Sequence, residues 1–247
     1  MSIKRQYLKK NMYNNLGYLK VANSIPISLI KQIKKDLTKK NIGNIYYDKK
    51  GIIRRSENIY DKSKSLRKLN NIIKKKIYQF FKRKLVIFKD KCNFKPPGGA
   101  GFTAHYDGIF YFKNKNNIKK KGWYEYSNYF MNVLIALDNC NKRNGSIEIS
   151  PHHNQSFEEL FLNTKMNGSP ELKKKIEKKL KFKYLNLKPG DILFFSNKCP
   201  HRSKKNLSKT SRMILYYTYA LGNKKIYNRY FKDKLSSKNK NEKSLTG

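Results

Sequence analysis

The chain has 247 residues, enough for one large domain with a sizeable buried core. It carries 57 Lys and Arg against 16 Asp and Glu, a formal net charge of +41. No stretch approaches the roughly 18 apolar residues of a membrane helix, and the opening residues lack the apolar segment of a secretory signal. Three scattered cysteines without a Cys-x-x-Cys pair argue against a disulfide framework. We therefore expect a soluble, cytoplasmic protein without a membrane span.

The excess of positive charge has two interpretations. A pI near 10 is typical of proteins that bind nucleic acid or anionic membranes. However, only nine of the basic residues are arginines, and the lysines are spread along a chain rich in Asn, Ile and Tyr. An AT-biased coding sequence produces such a composition, although it does not explain the scarcity of Asp and Glu. Charge alone identifies no partner, and an anionic substrate stays open.

Two amphipathic helices are predicted before a run of strands. The first begins at Ser24-Ile25-Pro26 and has apolar residues at helical spacing through Ile33. The second covers residues 63–84, with an apolar stripe of Leu66, Leu69, Ile73, Ile77 and Phe80. Short β-type segments separated by Gly-, Pro- and Asn-rich turns follow at 85–89, 102–107, 109–112, 129–138, 145–150, 183–187, 191–196 and 212–220.

This order predicts a mainly β fold with flanking helices. We expect a double-stranded β-helix, the cupin-like jelly roll, with an N-terminal helical support. One domain is predicted over residues 1–235, helical in 1–84 and with the jelly-roll core in 85–222, followed by a disordered polar tail at 236–247. Two segments interrupt the strands. Residues 113–122 form a lysine- and asparagine-rich loop, and residues 156–181, with helical pieces SFEELFL and SPELKKKIEKKLK, fit a lid or a solvated insertion.

The candidate chemistry starts at His105-Tyr106-Asp107. Alternate residues of a strand face one side, so His105 and Asp107 can converge on one ion while Tyr106 points away, and Gly108 permits a bend. His201 follows a distant apolar strand and supplies a third ligand. Two histidines and one carboxylate make the facial triad of non-haem Fe(II) oxygenases, which leaves coordination positions open.

Arg212 adds a cation beyond the three metal ligands. It opens a largely apolar strand, and a guanidinium directed into a pocket fits the carboxylate of a dicarboxylic cosubstrate. Cys199 is read as a small buried residue, since a thiolate ligand does not suit this triad.

Three segments resemble the phytanoyl-CoA dioxygenase-like Fe(II)/2-oxoglutarate oxygenases. They are KPPGGAGFTAHYDG at 95–108, NVLIALDNCNKRNGSIEISPHH at 132–153, and a C-terminal signature. That signature comprises Asp191 in PGDILFF, His201-Arg202-Ser203, Asn206 and Arg212. The resemblance covers roughly residues 85–220 and implies Fe(II), 2-oxoglutarate and O2 as cofactor and cosubstrates.

Residue by residue, the resemblance implies that His105, Asp107 and His201 hold iron and that Arg212 pairs with the distal carboxylate of 2-oxoglutarate. Ser203 matches a position that often assists there. Lys95, Thr103 and Asn132 are further candidates for contacts with 2-oxoglutarate. At 150–153 Ser-Pro-His-His replaces the family's Pro-Gly-Ser-His, so His152 and His153 are expected in a surface turn, not as ligands.

The predicted function is a 2-oxoglutarate-dependent dioxygenase that hydroxylates a C–H bond of a small molecule and releases succinate and CO2. Retention of Asp107 favours hydroxylation over halogenation, because related halogenases lose this carboxylate. The lysine-rich loop 113–122 beside the His-x-Asp strand favours an anionic substrate. Two alternatives remain: a nucleic-acid-binding or nucleic-acid-modifying protein, for which no recognisable motif is present, and a catalytically silent jelly-roll binding protein.

Overall fold

The computed structural model describes residues 3–39, 42–113, 117–151, 155–165 and 169–238. The strands in these ranges are β1 (Tyr18–Val21), β2 (Asn44–Tyr47), β3 (Ile53–Glu57), β4 (Val86–Lys95), β5 (Phe102–His105), β6 (Phe112–Lys113), β7 (Lys119–Lys120), β8 (Phe130–Ala136), β9 (Ile147–Ile149), β10 (Lys183–Tyr184), β11 (Ile192–Ser196), β12 (His201–Ser203) and β13 (Arg212–Ala220). The helices are α1 (Ile3–Leu16), α2 (Ile27–Leu37), α3 (Lys64–Phe81), α4 (Phe157–Leu162), α5 (Lys174–Glu177) and α6 (Lys225–Lys238), with a short 3-10 helix at Gly122–Glu125. Within the described ranges, no helix has the length and apolar character needed to cross a membrane.

Two antiparallel sheets form a sandwich. The major sheet has the strand order β1-β11-β8-β13-β4-β3-β2, and the minor sheet has the order β10-β9-β12-β5. Leu134 and Ile214 of the major sheet share a buried cluster with Ile147 and Ile149 of the minor sheet. The space between the sheets is therefore partly an apolar core, and the architecture is the predicted jelly roll.

Helices cover the outer face of the major sheet. The five predicted stripe residues of α3 are all buried, together with Ile30 and Ile33 of α2, against outward-facing residues such as Val133 and Leu215. The Ser63 hydroxyl caps α3 by accepting the Leu66 backbone N–H at 3.2 Å. The two predicted helices are thus confirmed as the support behind the sheet.

Alternation along the central strands decides what faces the minor sheet. On β13, Met213, Leu215, Tyr217 and Tyr219 belong to the helix-facing core, so the even-numbered positions 212–218 face inward. The register pairs Arg212 with Lys95, Ile214 with Asn93, Tyr216 with Lys91, and Thr218 with Lys89. Because directly opposed residues share a face, β4 points three lysines and an asparagine into the sandwich.

The first 84 residues contain strands as well as helices. β1 pairs with β11, and β2 and β3 extend the major sheet beyond β4. The prediction that residues 1–84 are helical is therefore incomplete, because this part also contains β1, β2 and β3. These strands were missed because segments of four or five residues, such as IRRSE in β3, are too short and too polar to show apolar alternation. The segment 109–112 is likewise not a strand, apart from Phe112 in a two-residue pair with β7.

The C-terminal helix α6 was not predicted. It ends at Lys238, so the predicted tail overlaps its last residues, and positions 239–247 lie outside the described ranges.

Buried Asp90 ties α6 to the sheet. Its carboxylate accepts the backbone N–H groups of Asn58 at 2.9 Å, Ile59 at 2.8 Å and Tyr60, and the Tyr227 hydroxyl of α6 at 3.0 Å. Burial raises the pKa of Asp90 to about 6, although these hydrogen bonds oppose the shift. One carboxylate thus joins β4, the loop after β3 and α6.

Replacing Asp90 by Ala is expected to lower the free energy of unfolding by ~3 kcal/mol, because buried backbone donors lose their acceptor. Urea denaturation measures this change. Asp61→Ala is the matched control, since Asp61 is exposed and, within the described ranges, its carboxylate has a single ion pair, to Lys62 at 4.0 Å. A loss for Asp61→Ala as large as that for Asp90→Ala would contradict the assigned role.

Candidate metal centre and its pocket

His105, Asp107 and His201 converge between the two sheets. His105 ends β5 and His201 begins β12, and the two residues are directly opposed, with ring centroids 4.2 Å apart. Asp107 Oδ2 lies 3.6 Å from His201 Nε2. One donor atom of each residue lies within 4.8 Å of the others, and no second group of three His, Cys, Asp or Glu comes together this way in the described ranges. The structure thus brings the three predicted ligands together.

A bend after β5 aims Asp107 at the two histidines. Gly108 has a φ of +73°, and a Cβ there would lie 2.2 Å from ring atoms of Trp123, so a side chain is excluded. Asn197 holds the Asp107 backbone, donating from Nδ2 to its carbonyl and accepting its N–H, both at 3.1 Å. Tyr106 points the other way, into a buried cluster with Phe161.

The surroundings of His105 and His201 favour the neutral imidazole, which is the form that binds a metal. His105 Nδ1 lies 2.7 Å from the Thr103 carbonyl, and His201 Nδ1 lies 3.1 Å from the Cys199 carbonyl. A carbonyl only accepts, so this network places the proton on Nδ1 and leaves the Nε2 lone pair for a metal. Burial lowers the pKa of both rings, to about 3 for His105, where His201 adds to the shift.

The third ligand is held by an amide. Asn132 Nδ2 donates to Asp107 Oδ2 at 2.8 Å, and Asn132 Oδ1 accepts the Thr218 hydroxyl at 2.8 Å. Burial alone would raise the pKa of Asp107, but the neighbouring His201 and His105 hold it below its usual value. Two neutral imidazoles and an oriented carboxylate suit a divalent first-row metal. Asn132 therefore lies in the pocket, where its amide orients a ligand.

The pocket around the triad draws on both sheets. Besides the three ligands, it is lined by Lys89, Lys91, Asn93, Phe102, Trp123, Asn132, Ile147, Arg202, Ser203, Tyr216 and Thr218. Lys89, Lys91 and Asn93 come from the inward row of β4, opposite Thr218, Tyr216 and Ile214 of β13, respectively. The wall beside the metal ligands is therefore cationic.

Three of the predicted cosubstrate residues lie together at one end of the inward face. Lys95 Nζ donates to Ser203 Oγ at 2.8 Å and to the Lys204 carbonyl at 2.7 Å. Arg212 donates from Nε to the Asn144 carbonyl at 3.2 Å and from Nη2 to the Gly145 carbonyl at 3.0 Å. Burial and the nearby Arg212 lower the pKa of Lys95 to about 7. Ser203 lines the pocket, whereas Lys95 and Arg212 lie behind it.

Other predicted residues lie outside the pocket. The Thr103 side chain is exposed, and only its carbonyl contributes, through His105. Cys199 is buried, and neither it nor Cys92 or Cys140 forms a disulfide. None of the described residues of loop 113–122 lines the pocket. His152 and His153 lie outside the described ranges.

The segment 169–172 was predicted to start a helix and instead lies along β5. The Tyr106 N–H donates to the Pro170 carbonyl at 3.2 Å, and the Leu172 N–H donates to the Ala104 carbonyl at 2.8 Å. Helix α5 begins only at Lys174. Pairing with the edge of β5 outweighs the local helix preference of Ser-Pro-Glu. This pairing is a tertiary contact, so the sequence pattern does not predict it.

The inward lysines of β4 were missed, although the sequence carries a signal for them. Residues 89–95 read Lys-Asp-Lys-Cys-Asn-Phe-Lys, with Lys, Lys, Asn and Lys at every second position. This period of two places four polar side chains on one face of a strand. The strand was predicted to stop at residue 89 because its inward face is not apolar.

Solved structures share this fold. The chain aligns with the non-haem α-ketoglutarate-dependent epimerase SnoN of nogalamycin biosynthesis at a TM-score of 0.69 and 13% identity, covering 89% of this chain and 84% of that one. It aligns with apo EctD from S. alaskensis at a TM-score of 0.65 and 14% identity, covering 89% and 77%. The jelly-roll prediction is confirmed.

The sequence profile of the phytanoyl-CoA dioxygenase (PhyH) family matches residues 13–214. This range includes the triad, Ser203 and Arg212, and the chain belongs to the phytanoyl-CoA dioxygenase family.

Two relatives share more of the sequence. A 2-aminoethylphosphonate dioxygenase from an uncultured bacterium is 34% identical over 152 residues, which is 60% of this chain and 51% of that protein. A methylphosphonate hydroxylase from Gimesia maris is 31% identical over 153 residues, 62% of this chain and 52% of that protein. The matched region thus spans about half the length of either relative.

Asn132→Leu is expected to weaken Fe(II) or Co(II) binding by about 10- to 100-fold, because Asp107 loses the donor that orients it. Anaerobic metal titration measures the affinity. Asn71→Leu, an exposed position of α3, is the control and should bind metal like the unmodified protein. Equal affinities for both variants would show that Asn132 does not support the site.

Proposed function

We propose that this protein is an Fe(II)/2-oxoglutarate-dependent dioxygenase that hydroxylates a C–H bond of a small organic anion, with phosphonates as the leading class. The observation that carries the proposal is the convergence of His105, Asp107 and His201 in a pocket walled by Lys89 and Lys91. Family membership and two relatives named for phosphonate oxidation support it.

The chain's own contribution is to hold and orient. His105 and His201 would hold iron through Nε2, and Asp107 through its carboxylate, with Asn132 fixing the carboxylate's direction. When bound, Fe(II), 2-oxoglutarate and O2 supply the oxidising chemistry, and succinate and CO2 leave. A set of two histidines and one carboxylate would leave coordination positions open for cosubstrate and O2.

Ser203 and Arg212 are proposed to receive the far carboxylate of 2-oxoglutarate, with Lys95 bracing Ser203. A guanidinium has five N–H donors, and Arg212 uses two groups, Nε and Nη2, on backbone carbonyls. The guanidinium also interacts with the Cys140 thiol, which leaves only part of its donor set for a carboxylate. Thr103 is not included, because it is exposed and does not line the pocket.

The nucleic-acid alternative gains no support from the placement of surface charge. Exposed lysines lie on α2 and α3 behind the major sheet, such as Lys35 and Lys74, and also on α5 and β10, such as Lys175 and Lys183. Charge spread over opposite sides fits a compositional origin better than a single phosphate-binding face.

Anaerobic mixing of the protein with Fe(II) and 2-oxoglutarate is expected to give a visible charge-transfer band, which a catalytically silent binding protein would lack. With O2 and methylphosphonate or 2-aminoethylphosphonate, succinate release should exceed the substrate-free rate. His105→Ala should lower the substrate-dependent rate by at least about 100-fold, because the metal loses a ligand. Full turnover in His105→Ala would refute the triad, and Asn71→Leu serves again as the control.

Arg212→Met is expected to raise the KM for 2-oxoglutarate by about 10- to 100-fold, because the variant loses a charge-assisted hydrogen bond to the carboxylate. Steady-state kinetics measure this change, and circular dichroism verifies that the variant is folded. Arg143→Met, an exposed arginine in the turn that Arg212 contacts, is the matched control. An unchanged KM in a folded Arg212→Met variant would remove Arg212 from the cosubstrate site.

A further inference from the structure

We infer that Lys89, seated on Trp123, is the residue that receives the anionic group of the substrate, at a position separate from the cosubstrate's cations. This inference rests on the proposed function and adds the specificity-determining residue to it.

Lys89 is a pocket cation without an anionic partner among the described residues. Its Nζ lies 4.4 Å from the Trp123 ring centroid and 5.7 Å from that of Tyr230, and it makes no hydrogen bond or ion pair there. Burial lowers the pKa of Lys89, because removing the charged ammonium from water is unfavourable. A desolvated lysine is normally paired, so a ligand anion is the missing partner.

The two carboxylates that influence Lys89 most are already engaged. Asp107 is bound by Asn132 and faces the histidines that would share the metal. Glu57 lies 3.2 Å from Arg55 Nε and also pairs with Lys234 of α6. Neither carboxylate is available to neutralise Lys89, which keeps its charge directed at the pocket.

Register separates Lys89 from the cosubstrate end. Thr218 is opposite Lys89, whereas Arg212 is opposite Lys95, six residues further along each strand. At about 3.4 Å per residue, the Cα atoms of Lys89 and Lys95 lie roughly 20 Å apart along β4, although the side chains of Lys89 and Ser203 line one pocket. The far carboxylate of a 2-oxoglutarate held by Ser203 and Arg212 would therefore be bound by other cations than Lys89.

Lys89 is in register with the residue that supports the candidate metal site. Thr218 is opposed to Lys89 on one side and to Asn132, the residue that orients Asp107, on the other. A compact ammonium binds phosphonate or carboxylate oxygens as a point charge. A substrate anchored there would hold a carbon close to its anionic group in the pocket that the candidate metal ligands line, so we expect hydroxylation next to that group.

The test measures phosphonate binding without turnover. Ligand-observed ³¹P NMR with methylphosphonate is recorded on the metal-free protein and on Lys89→Met, Lys89→Arg and Lys74→Met. Lys89→Met should weaken binding by at least about 10-fold, Lys89→Arg should retain most of it, and exposed Lys74→Met should match the unmodified chain. In the iron-loaded enzyme, the KM for methylphosphonate should rise in Lys89→Met, with the KM for 2-oxoglutarate within about twofold of its original value.

Three outcomes overturn the inference. They are unchanged methylphosphonate binding in Lys89→Met, a KM for 2-oxoglutarate that rises as much as that for methylphosphonate, and no methylphosphonate binding by the unmodified chain. Failure of the proposed function looks different, because it removes the charge-transfer band and succinate release from the unmodified protein. Thermal unfolding of Lys89→Met, with Lys89→Arg as the charge-conserving variant, separates a binding defect from a folding defect.

Discussion

The direct pairing of His105 with His201 across β5 and β12 is the constraint on which the site depends. Side chains alternate along a strand, so a slip of one residue would turn one imidazole to the outer face and dismantle the triad. β12 is held between β5 and β9, and the segment 169–172 covers the far edge of β5. The strand register therefore determines how the candidate ligands are arranged, and pairing on both sides of β5 and β12 maintains that register.

The interior of the sandwich divides into two halves with different physical character. Where β8 and β11 face the minor sheet, Leu134, Leu193 and Phe195 build an apolar core. Where β4 faces it, the inward row is cationic. The apolar half packs the two sheets together, whereas the cationic half presents Lys89 and Lys91 to the pocket. These few inward lysines, unlike those on the surface, lie in the pocket of the candidate metal ligands.

The sequence predicted those features that depend on local periodicity or on residue types in order. The α3 stripe, the strands β8, β9, β10, β11 and β13, and the convergence of the three ligands belong to this class, whereas the three-residue strand β12 at His201 was expected to be a turn. Features that depend on tertiary contacts were not predictable. Strands β1 to β3 are too short to show an apolar pattern. Residues 169–172 have the local sequence of a helix start, but they pair with β5 instead. The direction of the Arg212 guanidinium depends on the carbonyls of the 144–145 turn, which no spacing encodes. The spacing of Lys89 and Lys91, two residues apart, is that of one face of a strand. A strand is harder to predict there, because an inward face is usually apolar.

Helix α6 adds a consequence for where the functional unit ends. Tyr230 packs on Phe88 at 4.7 Å, and Phe88 packs on Trp123 at 5.3 Å, so the surface under Lys89 is built partly from α6. The family match stops at residue 214, before the end of β13 and the whole of this helix. A chain trimmed to residues 13–214 would keep every candidate metal ligand and lose the residues of α6 that pack behind Lys89. Part of the support for the pocket wall therefore lies outside the segment that the family shares.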